Sequence, residues 1–389
     1  MDRRVFIKNS LVASSTAMMP NFLYGLGTDE INNKSKKLVV IQLSGGNDGL
    51  NTLVPYRNED YHKFRPTIGL KPNDVIKISD ELGMHPSLSN TASLFNNGEM
   101  TIFNQVGYPN QNKSHFRATD IWLTASDAHK YYTTGWLGNF LDAECTKAHS
   151  AIEIGTSLSL ALKGNKGMGM AFNTPTELKR MGDTSFFNAL NKVQHNGNQP
   201  LDFLYKTFTH TKASTNYLFD KYKTYTSKIN YPNSQLAKSL KTIGSLIASG
   251  VETPIYYASL SGFDTHSNQQ NRHKTLLNNL DGALNAFVQD LKTTNNFNNT
   301  RILVFSEFGR RINENGSKGT DHGMANNVWL LGGNLNHSGF YNDITNLTLH
   351  SENDLLHTMD FREIYASILK NWLGSNRPFI EGNFKTFHI

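Results

Sequence analysis

The stretch KLVVIQLSGGNDGLNTLVP, residues 37–55, decides the fold. Leu38, Val39, Val40, Ile41 and Leu43 form a nearly continuous apolar run, without the polar alternation that would leave one face in water. A strand of this kind is buried on both faces, and such strands belong to parallel sheets covered by helices. Ser44-Gly45-Gly46-Asn47-Asp48-Gly49 then ends the run abruptly and sets Asn47 and Asp48 just past its carboxyl end.

Working outward, EMTIFNQVGY (99–108), parts of SAIEIGTSLSLAL (150–162) and TPIYYASLSGFDTH (253–266), RILVFSEFGRR (301–311) and NNVWLLGG (326–333) read as further strands. HPSLSNTASLFNNG (85–98), SHFRATDIWLTAS (114–126), HKTLLNNLDGALNAFVQDLKT (273–293) and DFREIYASILKNWLG (360–374) carry helical spacing. Strands alternating with helices imply right-handed crossovers and an α/β fold, a doubly wound, mostly parallel sheet with helices on both faces. Residues 180–250 are polar and rich in Lys, Asn and Thr, with helical spacing from Leu204 to Ile247. They are expected to form a helical insertion in a single domain spanning 37–389.

At 389 residues, with 38% hydrophobic and 18% charged residues, the composition suits a globular protein rather than a disordered one. No apolar run reaches the roughly 18–20 residues of a membrane span, so no transmembrane span is expected in the mature chain. The net charge of +6 is scattered, without a basic block or aromatic interleaving, and no nucleic-acid partner is expected. One cysteine, Cys145, excludes an intramolecular disulfide framework. The N-terminus, MDRRVFIKNSLVASSTAMMPNFLYGLG, resembles a twin-arginine export signal: Arg3-Arg4 precede Phe6, Ile7 and Lys8, and a Ser/Ala-rich apolar stretch follows. Residues 1–30 are therefore expected to be a signal segment read by the twin-arginine export machinery. The mature chain would start between Asn21 and Lys37, with a periplasmic or otherwise exported location.

In α/β sheets, ligands gather at the carboxyl ends of the strands. There the sequence places Asp48, Asp264 and His266 of GFDTH, Glu307 of SEFGRR, and Asp321 and His322 of GTDHG. Each alone has an ordinary explanation: Asp48 as a turn former, Glu307 as a partner of Arg310 or Arg311. Jointly, acidic and imidazole groups following strand after strand point to a divalent metal, Zn, Mn, Mg or Ca. Ser114 stands at a helix N-terminus, where free N–H groups and the dipole favour an alkoxide or a bound anion, with His115 and Arg117 beside it. Those three are the candidate catalytic residues, Ser114 as nucleophile and Arg117 as an anion clamp. The alternative for Ser114 is a plain helix cap.

LSGGNDGLNTLVP, KSHFRATDIW, GFDTH, SEFGRR, GTDHG and DFREIYASIL, in that order, resemble the bacterial exported domain of unknown function 1501 family over nearly the whole chain. That family is similar to the alkaline phosphatase and sulfatase superfamily. The resemblance implies a sheet of that type with one or two metals at its carboxyl edge. It places Asp48 as the aspartate after the first strand, Ser114 as the helix-starting nucleophile, Asp264 and His266 as ligands from a middle strand, and His322 as the late histidine. Where phosphatases have Asp-His after a late strand, this chain has Glu307-Phe308, and Phe308 cannot bind a metal. No Cys or Ser lies in the Cys/Ser-x-Pro-x-Arg context that formylglycine formation requires. Two functions follow as expectations: an exported metal-dependent hydrolase of phosphate or sulfate esters, or a non-enzymatic exported binding or assembly protein with a degenerate metal site.

Overall fold

The computed structural model describes residues 36–167, 169–183, 199–343, 347 and 354–389, with only the backbone described at 199–208. The expected signal segment, 1–30, lies outside the described residues, as does 184–198 of the expected insertion.

A nine-stranded sheet is built from β1 (Lys37–Ser44), β2 (Met100–Gly107), β3 (Ala151–Ile154), β4 (Met170–Phe172), β5 (Ile255–Ser261), β6 (Thr300–Phe305), β7 (Asn326–Leu331), β8 (Gly339–Phe340) and β9 (Met359–Asp360). Its order is β8-β2-β7-β6-β1-β5-β3-β4, with β9 also on β2. β1 lies in the middle, parallel to both neighbours, with Val40 in register with Tyr257 on one side and Leu303 on the other.

Helices that flank the sheet among the described residues include α1 (Ser89–Asn96), α2 (His115–Thr124), α3 (Trp136–Glu144), α4 (Gln235–Ala248), α5 (Gln269–Thr293) and α6 (Phe361–Ser367). Val39 and Ile41 pack with Ala92 of α1, Leu240 of α4 and Leu284 of α5. Leu38 and Val40 point the other way and pack with Ile121 of α2, Leu137 of α3 and Ile364 of α6. Both faces of β1 are thus dry, which is why its run shows no alternation. Each such side chain contributes roughly 1.5–3 kcal/mol of burial free energy. α4 falls within the span read as an insertion, and it lays Leu236, Leu240, Ile243 and Leu246 into the core on the sheet's first face.

The sheet is mostly parallel, as expected, with one antiparallel strand. β7, read from NNVWLLGG, is antiparallel to both β2 and β6. After β6 the chain stays at the carboxyl edge through a hairpin, Arg310–Glu314 with Thr320–His322, and so re-enters the sheet from the edge it left. A parallel return would need a crossover long enough to reach the other edge. Among the described residues no helix is long and apolar enough to cross a membrane.

Candidate metal centre

The turn after β1 shapes the carboxyl edge. Gly45 and Gly46 adopt φ of 118° and 68°, backbone that side chains disfavour. A Cβ on Gly45 would lie 2.5 Å from the Asp264 backbone nitrogen, and one on Gly46 would lie 2.2 Å from the Phe308 ring. The first strand's turn therefore presses directly against the loops that carry Asp264 and Glu307.

Three histidines converge there. His115, the first residue of α2, faces the Glu307 carboxylate with Nδ1 at 2.9 Å. His266, in the loop after β5, faces Asp321 Oδ1 with Nδ1 at 3.2 Å. His322, at the end of the hairpin, faces the Lys113 carbonyl with Nδ1 at 2.8 Å. Each of these partners is an acceptor and suits a proton on Nδ1, the tautomer whose Nε2 would be free to take a cation. The three Nε2 atoms meet at one oxygen, Asp264 Oδ1, at 3.4 Å from His115, 3.0 Å from His266 and 3.3 Å from His322. The Nε2 atoms of His266 and His322 are 2.9 Å apart. Two lone pairs at that distance repel unless a cation or a proton lies between them. Ligands at about 2.0–2.1 Å around a tetrahedral zinc are separated by about 3.3 Å, close to these spacings. Ligand atoms of His115, Asp264 and His322 all lie within 4.8 Å of one another, and the buried Nε2 of His115 has no hydrogen-bond partner.

Asp264 and two of the histidines are shifted by their neighbours. Burial works to raise the Asp264 carboxyl, but Arg310, with His266 and His115, outweighs it and holds the group at about 2. The hydrogen bond to Glu307 holds His115 above the usual imidazole range. Burial, then Arg310 and His115, pushes His322 below it. Arg310 is buried and ties three loops together: it donates to Gly46 O at 2.7 Å, to Thr320 O at 2.8 Å and to Asp264 Oδ1 at 2.7 Å.

The remaining expected site residues are placed as follows. Glu307 stands behind His115: its Oε1 also accepts from the Gly45 N–H at 2.9 Å, so it orients His115 rather than being paired with Arg310 or Arg311. Asp321 stands likewise behind His266, and Asn315, then His266, hold its pKa below the ordinary value. Such carboxylate–imidazole pairs fix ring orientation and ligand basicity in metal sites. Asp48, expected among the ligands, is instead drawn into a buried ion pair with Arg65 at 2.7 Å. Arg117, expected as an anion clamp, spends its guanidinium on the carbonyls of Asp127, Ala128 and Lys130 and lies under Tyr131, 3.9 Å from the ring centroid. It fastens a loop to α2. Ser114 occupies the N-cap position of α2, is exposed, and makes no side-chain cap bond. Phe308 is buried, with its ring 4.8 Å from His115 and 4.9 Å from His322, and forms an apolar wall to the centre.

Sequence reasoning did not find Arg65, Gln269 or the Lys113 carbonyl. Arg65 sits in KFRPT and reads as a loop cation; nothing local marks it as the partner of Asp48, 17 residues earlier. A backbone carbonyl carries no side-chain signature at all.

Fold and site together define an α/β protein with a three-histidine, one-aspartate cluster at the carboxyl edge of a mostly parallel sheet. Over residues 35–372 the chain matches the family described as "Protein of unknown function (DUF1501)", and it belongs to that family. No curated protein sequence matches the chain. Among solved structures it is similar to the lipoteichoic acid synthase LtaP from Listeria monocytogenes, at 12% identity over 92% of this chain and 75% of that one, with a TM-score of 0.42. It is also similar to the C-terminal periplasmic domain of EcEptC from Escherichia coli, at 10% identity over 91% and 86%, TM-score 0.42. A protein in the alkaline phosphatase superfamily from Vibrio parahaemolyticus is similar at 12% identity over 89% and 68%, TM-score 0.41. At these scores neither a residue role nor an activity is carried across.

Proposed function

We propose that this chain is an exported, metal-dependent hydrolase of phosphate or sulfate esters. The observation that carries the reading is the convergence of three Nε2 atoms on Asp264 Oδ1, each ring locked by an acceptor at its far nitrogen. A divalent cation held by His115, Asp264, His266 and His322 would polarise an ester oxygen and favour the ionised form of an attacking hydroxyl. Zn suits the imidazole-rich set better than Mn, Mg or Ca. Ser114 adjoins His115, and its hydroxyl is not spent on capping α2. Ser114 Oγ, its proton released to solvent, attacks phosphorus or sulfur; the bond to the substrate alcohol breaks and the alcohol takes a proton from solvent; water then cleaves the seryl ester, releasing phosphate or sulfate and returning a proton to Ser114 Oγ. The places of Ser114, Asp264, His266 and His322 in the chain, which match those implied by the resemblance to the alkaline phosphatase and sulfatase superfamily, support this reaction class, and the Arg3-Arg4 leader supports export by the twin-arginine machinery to the periplasm.

The test compares purified wild type, Ser114→Ala and His322→Ala on aryl phosphate and aryl sulfate, with metal content measured alongside. Wild type should carry metal and turn over one ester class. Ser114→Ala should keep the metal and its stability while losing several orders of rate; His322→Ala should lose the metal. Full turnover by Ser114→Ala would retire the covalent step. A second reading, a non-enzymatic binding or assembly protein, is favoured by Phe308, which places an apolar wall where the resembling phosphatases supply a ligand. Metal bound without turnover on either ester selects it.

A further inference from the structure

The aspartate after the first strand is where a second cation would be sought, and the structure fills that place with an arginine. Asp48 is 0% exposed and Arg65 1%. Asp48 Oδ1 accepts from the Asn51 N–H at 3.3 Å, and Oδ2 accepts from Arg65 Nη1 at 2.7 Å and from the Gln269 amide. Burial opposes the charge on Asp48, but Arg65 outweighs it and keeps the carboxyl below its ordinary pKa. The carboxylate is therefore ionised, neutralised and fully hydrogen-bonded without any metal.

The guanidinium is bound as a cation would be. Its Nε donates to the Ile312 carbonyl at 2.8 Å, Nη1 to Asp48 and also to Asn51 Oδ1 at 2.8 Å, and Nη2 to the Arg311 carbonyl at 2.9 Å. One carboxylate, one side-chain amide and two backbone carbonyls make an all-oxygen set of the sort a hard cation takes. The amide is itself held: Asn51 Oδ1 also accepts from Tyr61 Oη at 2.8 Å, and Asn51 Nδ2 donates to the Ile68 carbonyl at 2.9 Å. The two carbonyls belong to the hairpin that carries Asp321 and His322. Releasing Asp48 to a metal would leave the Arg65 charge buried and unpaired, which is strongly unfavourable.

We infer that the centre takes a single cation, held by the histidines and Asp264, and that Arg65 stands as a covalently tethered substitute for a second one at Asp48. This rests on the proposed centre and adds its count and boundary. The test is metal stoichiometry by elemental analysis, with zinc affinity from chelator competition, on the full chain. The double variant Asp48→Asn/Arg65→Met removes both charges together, so no buried charge is left alone. Wild type and double variant should each bind one zinc, with Kd within about threefold, as expected for independent sites. Two zinc ions in the wild type, falling to one in the double variant, would overturn the inference. So would a double variant that is folded by circular dichroism but has a Kd weakened about tenfold or more, as for loss of a ligand or its support. A wild type that binds no zinc sinks the proposed centre, and this inference with it.

Discussion

Glu307 acts at one remove from the proposed cation position. Its carboxylate oxygen lies 2.9 Å from His115 Nδ1 and from the Gly45 N–H, so it favours a proton on Nδ1, the arrangement in which His115 Nε2 would take a cation. Glu307→Gln keeps an acceptor for one of these donors, but its amide N–H can face Nδ1 and reverse the tautomer. Cation affinity should fall about 10–100-fold, as for other changes behind a metal ligand. Chelator competition measures this, and circular dichroism checks that the fold persists. Unchanged affinity would mean that the His115 ring is set by packing against Phe308 instead. In the sequence Glu307, Asp321 and Asp264 look alike, each an acidic residue shortly after a strand. What separates a ligand from its support is depth and direction: Glu307 is turned toward Gly45, and Asp264 toward the histidines. That difference arises only when the loops of β1, β5 and β6 are brought together.

At the scale of elements, the turn after β1 is a tight constraint on the site. Gly46→Ala meets two obstacles, a left-handed backbone at φ 68° and a Cβ position 2.2 Å from the Phe308 ring. Destabilisation of about 2–4 kcal/mol is expected, from strain and overpacking combined. Urea unfolding measures it, and adding Phe308→Leu should recover part of the loss by relieving the clash alone. A loss untouched by Phe308→Leu would assign the whole effect to the backbone. This turn was legible as a break because Gly45-Gly46 end an apolar run. The strands were legible for the same reason, since Leu38–Leu43 and Ile302–Phe305 are buried on both faces. The direction of β7 was not legible: NNVWLLGG has the apolar character of a central strand, and polarity is decided by the hairpin that precedes it. Nor was the fate of Asp48, because its partner Arg65 is placed by the hairpin carbonyls of Arg311 and Ile312, about 250 residues away in the chain.

For the molecule as a whole, burying both sheet faces leaves little room for charge, and Glu153 of β3 tests what that means for stability. Burial raises its carboxyl from 4.5 to about 7, with the Ser159 N–H offsetting only part of the shift. The folded protein thus keeps a proton that the unfolded chain has already released. For an acid with a raised pKa, the native state binds more protons than the unfolded one between the two values, so stability falls as pH rises from about 4.5 to about 7 and levels off above. Below the unfolded value the group makes no such demand. The shift corresponds to about 3 kcal/mol across that window. Glu153→Gln keeps an acceptor for the Ser159 N–H and removes the ionisation. Its stability relative to wild type should therefore grow by up to about 3 kcal/mol between pH 4.5 and 7.5, with little further change above. Other groups titrate in the same range but are common to both proteins, so the difference between the two urea-unfolding curves isolates Glu153. Parallel curves across the window would show that the carboxyl is solvated in the folded protein and that the space around Ser159 and Tyr257 admits water.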